Sequence, residues 1–426
     1  MDSHAIELLE LPAIRERLAG MAAFEGGAAL ARALEPSPDP HEVARLREVT
    51  REAGVLWELA VSGPGGAHDV RDDVGDARRG APMEITAFER VRATCEVAGE
   101  MREAVMEHAE AVPLMADVAD LIEPGPMARV AERLDGALDG RGGIRDDASP
   151  GLARARRDVA DLHRQAQDAL REVAQAVKAH LQEGFITERA GRPVLAVKAS
   201  SRSAVPGIVH DSSDSGGTLF VEPLPVVEAS NRVREAQARE REELAAVLAA
   251  LRALVEDHAY AIDTAVEALA EIDLRLARAS LSRAWRGAPV EEGDPLLVDA
   301  RHPLLDPARA VPISLDLRST RALVVSGPNT GGKTVSLKTL GLFALLHQCG
   351  LEPPAQSVRL PVFDTVLADI GDEQSIAESL STFSAHVRTL IGVLDEAGSR
   401  SLVLLDEVGA GTDPSEGAAI AEAVLG

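Results

Sequence analysis

The chain has 426 residues and a formal net charge of −25, with 69 acidic side chains against 44 basic ones. Nucleic-acid-binding proteins are usually basic, so any contact with DNA or RNA must be local here. Aromatic residues make up 2% of the chain, which excludes an extended base-stacking platform. The length exceeds one ordinary hydrophobic core, and we expect two or three domains.

Targeting and redox signals are absent from the sequence. No stretch approaches a transmembrane span, and the first residues lack the basic and apolar regions of a signal peptide. Cys95 and Cys349 lie far apart and near no histidine cluster, which predicts neither a disulfide framework nor a zinc site. We therefore expect a cytoplasmic protein without membrane contact.

Residues 1–150 are predicted to form an N-terminal helical core. The pattern is one of short amphipathic helices, interrupted by loops rich in Pro, Gly and Ser. These loops are at 36–40, 62–66 and 139–143.

Two long stretches, 152–183 and 226–286, contain neither Gly nor Pro. They predict helices of roughly 45 Å and, if the second is unbroken, roughly 90 Å, which is the length of coiled-coil or lever helices. Gly and Ser turns separate four short predicted strands between them. These strands are at 185–187, 193–197, 207–209 and 218–221.

This order favours a domain over 151–286 in which two antiparallel lever helices carry a β-rich clamp near 184–225. An ordinary helical domain with a β-hairpin insertion is the alternative. Residues 151–205 contain ten Arg or Lys side chains against six Asp or Glu, so phosphate binding is a hypothesis for this region. A solvated helix face explains the same charge. The candidate nucleic-acid contacts are Arg189, Arg192, Lys198 and Arg202.

The most specific motif is a phosphate-binding loop, Gly-x-x-x-x-Gly-Lys-Thr, between a predicted buried strand at 321–325 and a predicted helix at 335–347. Glycines let backbone N–H groups approach phosphates at a helix N-terminus, and a turn without a ligand is the weak alternative. Lys333 would neutralise the β- and γ-phosphates of ATP, and the Thr334 hydroxyl would bind Mg²⁺. The predicted nucleotide-binding residues of the loop are Gly327, Pro328, Asn329, Thr330, Gly331, Gly332, Lys333 and Thr334.

A second apolar strand, at 401–405, ends in Asp406 and Glu407. Two acids at the end of a buried strand are costly unless they face a metal site. We expect Asp406 to hold Mg²⁺ through water and Glu407 to polarise the attacking water, and we expect Lys333 to be catalytic through its charge on the phosphates. An acidic loop is the alternative.

Between these motifs lie Gln374 and Ser381, both expected near the nucleotide. Ser381 opens a predicted helix, where Ser is usually an N-cap. In this context it more plausibly offers the helix N-terminus to the γ-phosphate bound by a second subunit, and 409–413 would be the loop that crosses the dimer interface. Residues 301–303, Arg-His-Pro, either border the base or form an ordinary turn.

These motifs together resemble the MutS family, and most closely its second bacterial branch, here called MutS-two. The resemblance rests on Gly-Pro-Asn-x-Gly-Gly-Lys-Thr, on Ser-Thr-Phe at 381–383 and on the Asp-Glu strand followed by Gly-x-Gly-Thr. Residues 205–223 and 369–387 resemble that branch specifically, and the resemblance covers essentially the whole chain. The implied fold is multidomain α with α/β, in which the helical core and lever-clamp precede an ABC-type P-loop ATPase domain over 287–426, incomplete at its C-terminal end.

The resemblance implies an ATPase that acts as a homodimer with composite ATP sites and closes around nucleic acid. The branch is associated with branched DNA and suppression of homologous recombination, and with rRNA binding and the splitting of collided ribosomes. The family's head continues to a further strand with a switch histidine, followed by an Smr nuclease module. This sequence contains neither, so we expect weakened nucleotide binding, incomplete dimerisation and no endonuclease activity. Phe-x-Glu at 220–222 matches the mismatch-reading motif by coincidence, and we predict no mismatch repair.

Three other classes of protein fit the sequence less well. A small-molecule kinase would share the phosphate loop but not the long helices. A chromosome-cohesion ATPase inserts its coiled coil between the two nucleotide motifs, whereas the long helices here all precede Gly327. A nucleic-acid clamp or scaffold whose head is inactive as an ATPase remains the alternative function.

Overall fold

The computed structural model describes residues 2–189, 191–327, 332–370, 390–408 and 413–425. Contacts divide the chain into two compact units, each assembled from separate stretches. The first unit contains Met1–Arg71, Ala93–Ala128 and Tyr260–Gly426, and the second unit contains Asp72–Arg92 and Arg129–Ala259. The three contiguous domains expected from the sequence stay a prediction, because these units group stretches by contact and not by order along the chain.

Helices alternate with loops up to residue 149, as the sequence predicts, although α4 and α6, with 19 and 22 residues, are longer than the short helices expected. Asp2 begins the first helix by accepting hydrogen bonds from the backbone N–H groups of His4 and Ala5, both at 3.1 Å. Asp39 caps α4 in the same way, and Pro40 occupies its first turn. The helices are α1 (Ser3–Leu8), α2 (Leu11–Ala19), α3 (Glu25–Arg32), α4 (Pro40–Glu58), α5 (Arg71–Arg78), α6 (Ile85–Met106), α7 (Pro113–Ala119) and α8 (Pro124–Asp135).

Two long antiparallel helices, α9 (Pro150–Ala176) and α10 (Leu224–Asp257), pack against each other in the second unit. An ion pair between Arg156 and Glu240 (3.4 Å) joins them. The first predicted lever, 152–183, is too long at its C-terminal end because the chain leaves the helix after Ala176 and enters a strand at Leu181.

The second predicted lever, 226–286, is not one helix. His258 interrupts it, and α11 (Ala259–Ala284) begins beyond the break. The His258 Nδ1 atom lies 2.9 Å from the backbone oxygen of Leu254, so the ring caps the end of α10. A side chain thus ends this helix without Gly or Pro, which is why the composition does not reveal the break.

A four-stranded antiparallel sheet follows α9 and confirms the four predicted strands. Its order is β1-β2-β4-β3. Leu195 and Val221 are fully buried and pack with Leu170 of α9 and Val226 of α10. The strands are β1 (Leu181–Arg189), β2 (Arg192–Lys198), β3 (Gly207–Ser212) and β4 (Thr218–Pro223).

Two further sheets lie in the first unit. Four short strands form one sheet in the order β5-β8-β6-β7, and β9 and β10 pair in parallel. The strands are β5 (Val290–Glu291), β6 (Leu296–Ala300), β7 (Ile313–Asp316), β8 (Ser357–Arg359), β9 (Thr365–Asp369) and β10 (Ser401–Leu405). The remaining helices are α12 (Lys333–Gln348), α13 (390–396) and α14 (Pro414–Leu425).

Helix α12 is the central helix of the first unit. Every residue from Thr339 to Gln348 is buried. Phe343 packs in one core with Leu404 and with Leu9 and Ile14, which precede it by more than 300 positions in sequence. The start of α12, where the phosphate loop ends, is therefore fixed to a rigid interior.

The predicted buried strand at 321–325 is wrong. Residues 322–326 have no regular secondary structure, and Leu323, Val324 and Val325 are 50%, 72% and 43% exposed. An apolar run becomes a strand only where a neighbouring strand satisfies its backbone hydrogen bonds. Among the described residues, β9 and β10 pair with each other and not with this segment.

None of the described helices is both long enough and apolar enough to cross a membrane.

Candidate nucleotide site

The described ends of the phosphate loop adopt backbone conformations that favour glycine. Gly327 has φ 150° and Gly332 has φ 78°, a range that side chains with a Cβ rarely occupy. Gly332 is the N-cap of α12, and Lys333 and Thr334 form its first turn. The Lys333 Nζ atom donates to the backbone oxygen of Gly327 at 2.8 Å, so the lysine side chain connects the two described ends of the loop.

The two predicted metal ligands lie together, although 72 residues separate them in sequence. The Thr334 hydroxyl donates to Oδ2 of Asp406 at 2.5 Å. Asp406 directly follows β10, and its backbone N–H donates to the oxygen of Asp369 at the end of β9 (2.9 Å). The parallel pairing therefore continues one residue past the strand and carries the carboxylate to the start of α12.

The distance between α12 and β10 depends on a glycine. A Cβ atom at Gly341 would lie 2.4 Å from a methyl carbon of Leu404 and 2.6 Å from one of Leu9. Such distances are far below van der Waals contact. Because Gly341 lacks a side chain, α12 can approach β10 closely enough for Thr334 to reach Asp406.

Glu407, the predicted base, follows Asp406 and is exposed. Its φ of 51° lies in the left-handed region, which costs a non-glycine residue about 1 kcal/mol or more. Backbone strain of this kind clusters at functional sites. The position beside Asp406 suits the predicted role, which stays a prediction.

These side chains fit a magnesium–nucleotide complex. A hydroxyl and a carboxylate are the hard oxygen ligands that Mg²⁺ takes alongside phosphate oxygens, and a lysine and a helix N-terminus both attract phosphate. The described residues contain no group of three or more His, Cys, Asp or Glu side chains that could hold a metal. Among the described residues, Thr334 and Asp406 are the ones that would hold magnesium at this site.

Several predicted site residues lie outside the described part of the chain, and their predictions remain as made. They are Pro328, Asn329, Thr330, Gly331, Gln374 and Ser381, together with 409–412 of the predicted interface loop.

The Arg-His-Pro segment forms a turn. His302 is 7% exposed, and burial lowers the pKa of its imidazole below the usual range. Its Nε2 atom lies 3.8 Å from Oε2 of Glu10. The backbone oxygen of Pro303 accepts a hydrogen bond from Arg17 at 2.6 Å. This arrangement agrees with the ordinary turn that the sequence left open.

Both cysteines are free and buried. Burial raises the pKa of each thiol to about 12, so neither is available as a thiolate nucleophile at neutral pH.

All four candidate nucleic-acid contacts make hydrogen bonds within the second unit. Lys198 donates to the backbone oxygen of Ala179 (3.2 Å), and Arg202 to those of Val205 and Gly207. The Arg189 guanidinium lies 4.0 Å from the centre of the Phe220 ring. Its Nε atom lies 3.4 Å from Oδ2 of Asp211.

The Arg192 side chain is 15% exposed and is bound to the fully buried carboxylate of Glu222. Its Nη1 atom lies 2.9 and 2.8 Å from the two carboxylate oxygens, and His210 lies 2.7 Å from Oε2. Burial alone would raise the pKa of Glu222, but its hydrogen bonds and the charge of Arg192 lower that pKa below the usual value. Glu222, in the Phe-x-Glu segment, thus forms part of the sheet's polar interior.

Comparison with known proteins identifies relatives of this chain. The family model described as MutS domain V matches residues 323–426, which include α12, β9 and β10. Endonuclease MutS2 of Thermomicrobium roseum is 42% identical over 447 residues, covering 100% of this chain and 56% of that protein. The proteins of the same name from Pelotomaculum thermopropionicum and Symbiobacterium thermophilum are each 40% identical, covering 100% of this chain and 55% and 54% of themselves.

The domain V match and the relatives together define a MutS-type protein with a mixed helical and sheet fold. Similarity to the MutS2 proteins extends over the whole sequence, which makes the chain a homologue of these proteins. The chain spans about half the length of the curated relatives it matches.

Proposed function

We propose that the first unit binds ATP with Mg²⁺ and hydrolyses it. The observation that carries this proposal is the 2.5 Å contact between the Thr334 hydroxyl and the Asp406 carboxylate at the N-terminus of α12. A Ser or Thr hydroxyl and an acidic strand end form the magnesium site of P-loop nucleotide-binding proteins. Lys333, adjacent to Thr334, would neutralise phosphate charge.

Each residue would have a distinct role in the reaction. Backbone N–H groups at 327–334 would bind phosphate oxygens, Thr334 and Asp406 would hold Mg²⁺, and Glu407 would orient and deprotonate the attacking water. Bound magnesium would offset the negative charge on the phosphates. Gln374 would lie near the nucleotide, and Ser381 would complete the site of a second subunit, so the proposal includes a homodimer.

We further propose that the second unit contacts nucleic acid. The support is its two long antiparallel helices, its antiparallel sheet and a local excess of basic side chains in a chain of net charge −25. Branched or double-stranded DNA is the proposed substrate, with suppression of recombination as the outcome, and rRNA within collided ribosomes is a second target. The relatives are named endonucleases. We propose that the described residues bind nucleic acid without cleaving it.

A nucleic-acid clamp with an inactive head is the second candidate. Residues 322–326, which lead into the phosphate loop, lie outside any strand and expose three apolar side chains. The phosphate loop is followed by a helix but is not preceded by a strand. Such a loop is less preorganised for phosphate, which favours weak ATP binding or none.

Calorimetry of ATP binding in the presence and absence of Mg²⁺ separates these candidates. For a competent head, Lys333→Ala weakens binding by at least about tenfold, and Asp406→Asn removes the gain that Mg²⁺ provides. If the wild-type chain and Lys333→Ala gave equal heats of ATP binding, the head would be inactive. The experiment would then support the nucleic-acid clamp as the function. Binding to a branched DNA at several salt concentrations tests the second unit, with Arg189→Ala as the variant and Arg232→Ala on α10, outside the basic segment, as the control.

A further inference from the structure

We infer that Leu9 and Glu10, at the corner between α1 and α2, are positioning residues of the nucleotide site that hold α12 against β10. The inference rests on the proposed nucleotide function and extends it to two residues more than 300 positions before the phosphate loop.

The corner contacts the face of α12 that leads from Thr334 to Gly341. Leu9 is fully buried and lies against Gly341, where an added Cβ would be 2.6 Å from its Cδ2 atom. The next residue, Glu10, accepts a hydrogen bond from Nζ of Lys338 at 3.2 Å. Thr334, Lys338 and Gly341 are spaced four and three apart, so they follow one face of the helix.

The same face of the helix meets β10. There Leu404 lies against Gly341 beside Leu9, and Asp406 binds Thr334. Helix α12 is thus held on this face by β10 and by two consecutive residues of the corner. One of these residues makes an apolar contact and the other an ionic one.

An exposed ion pair contributes little by itself. Here the Lys338 side chain is 25% exposed and that of Glu10 is 42% exposed, so the pair is partly shielded from solvent. The second carboxylate oxygen of Glu10 lies 3.8 Å from Nε2 of His302, whose side chain is 5% exposed, so the carboxylate lies between α12 and the segment after β6. Both imidazole nitrogens of His302 are buried and make no hydrogen bond to any described residue.

The backbone of Glu10 supplies an independent argument. Its φ of 64° and ψ of 26° lie in the left-handed region, where Gly, Asn and Asp are favoured over Glu. Glu10 occupies the N-cap position of α2, but its side chain makes no capping hydrogen bond. A residue that strains the backbone and does not cap the helix is explained by the reach of its carboxylate to Lys338.

This strain allows a test that separates positioning from stability. Glu10→Gly relieves the backbone and removes the carboxylate, and Glu10→Gln keeps the shape without the charge. Lys338→Met removes the partner, and the reversed pair Glu10→Lys with Lys338→Glu restores the attraction. The matched control is Glu291→Gln, which breaks an exposed 2.9 Å ion pair to Arg359 between β5 and β8.

Three measurements are made on each variant. They are the thermal midpoint, hydrogen exchange of the 337–341 amides without nucleotide, and kcat and KM for ATP with Mg²⁺. We expect Glu10→Gly to keep or raise the midpoint, to speed exchange by about fivefold and to lower kcat by about fivefold with little change in KM. Glu10→Gln and Lys338→Met lower kcat similarly, the reversed pair recovers most of it, and Glu291→Gln changes none of the three.

The inference would be overturned if the amide exchange rates, kcat and KM of Glu10→Gly equalled those of Glu291→Gln. A loss of activity that only follows the midpoint across all variants would also overturn it. The exchange measurement needs no nucleotide, so it separates the two proposals. If the wild-type chain and Lys333→Ala were equally inactive, the nucleotide function would fail, while faster exchange in Glu10→Gly would still show that the corner holds α12.

Discussion

Replacing Gly341 with alanine tests the close packing of α12 on β10. The new methyl group would lie 2.4 Å from Leu404 and 2.6 Å from Leu9, both essentially fully buried. Ordinary carbon contacts lie at about 3.5–4.0 Å, so helix and strand must separate by about 1 Å or the leucines must repack. Overpacking costs about 1–3 kcal/mol, whereas alanine in a helix is favoured over glycine by about 1 kcal/mol. We therefore expect a net loss of about 1 kcal/mol in the free energy of unfolding.

The same displacement has a larger effect on the nucleotide site. An increase of about 1 Å in the 2.5 Å contact between Thr334 and Asp406 exceeds hydrogen-bonding range. Misplacement of a functional group by this amount costs about a hundredfold in rate. Magnesium titrations of ATP binding and hydrolysis should therefore show a deficit far greater than the loss of stability.

Gly99→Ala is the matched control because Gly99 lies within α6 and has no neighbouring atom within 4 Å of an added Cβ. That variant should be stabilised by up to about 1 kcal/mol and keep its magnesium dependence. If Gly341→Ala were stabilised equally and bound Mg²⁺ and ATP like the control, the packing argument would be refuted.

Two further predictions concern the buried end of α12. The Gln348 amide makes three hydrogen bonds, to the oxygens of Ser37 and Phe363 and from the N–H of Phe363, at 2.7, 2.9 and 3.2 Å. Gln348→Leu leaves these groups unpaired, so urea unfolding should show a loss of at least about 3 kcal/mol in the free energy of unfolding. A loss below about 1 kcal/mol would contradict the stabilising role given to these hydrogen bonds. Burial lowers the pKa of His347 from 6.5 to about 4, so unfolding takes up a proton between these values and stability falls as pH falls through this window. The loss in the free energy of unfolding across this pH window should total about 3 kcal/mol, and it should be absent in His347→Leu. The control variant His41→Gln, which changes an exposed histidine, should still show the loss.

The sequence was sufficient for features whose signals are local. A glycine-rich turn followed by Lys and Thr predicts the start of α12, and an apolar strand ending in two acids predicts β10 and Asp406. Their contact could be anticipated because strand ends and helix N-termini meet at one edge of such a site.

Features that depend on long-range contacts were missed. The residues before the phosphate loop have the composition of a strand, but composition does not provide a pairing partner. The break at His258 was missed for a different reason, because its capping contact with Leu254 is local but histidine is not a typical helix breaker. Glu10 and Lys338 are 328 residues apart, and only the fold brings their charges together.

The interleaving of the two units has a consequence for synthesis on the ribosome. The second unit contains no residue beyond Ala259, so all of its chain precedes Tyr260 and α12. The core of the first unit joins Leu9 to Phe343, and the N-terminal helices cannot bury their apolar faces there until α12 has emerged. At a translation rate of about 5–20 residues per second, those apolar faces lack their partner for tens of seconds. The start of the chain therefore remains without its final partner while more than 300 further residues are made, although the second unit can already be complete by then.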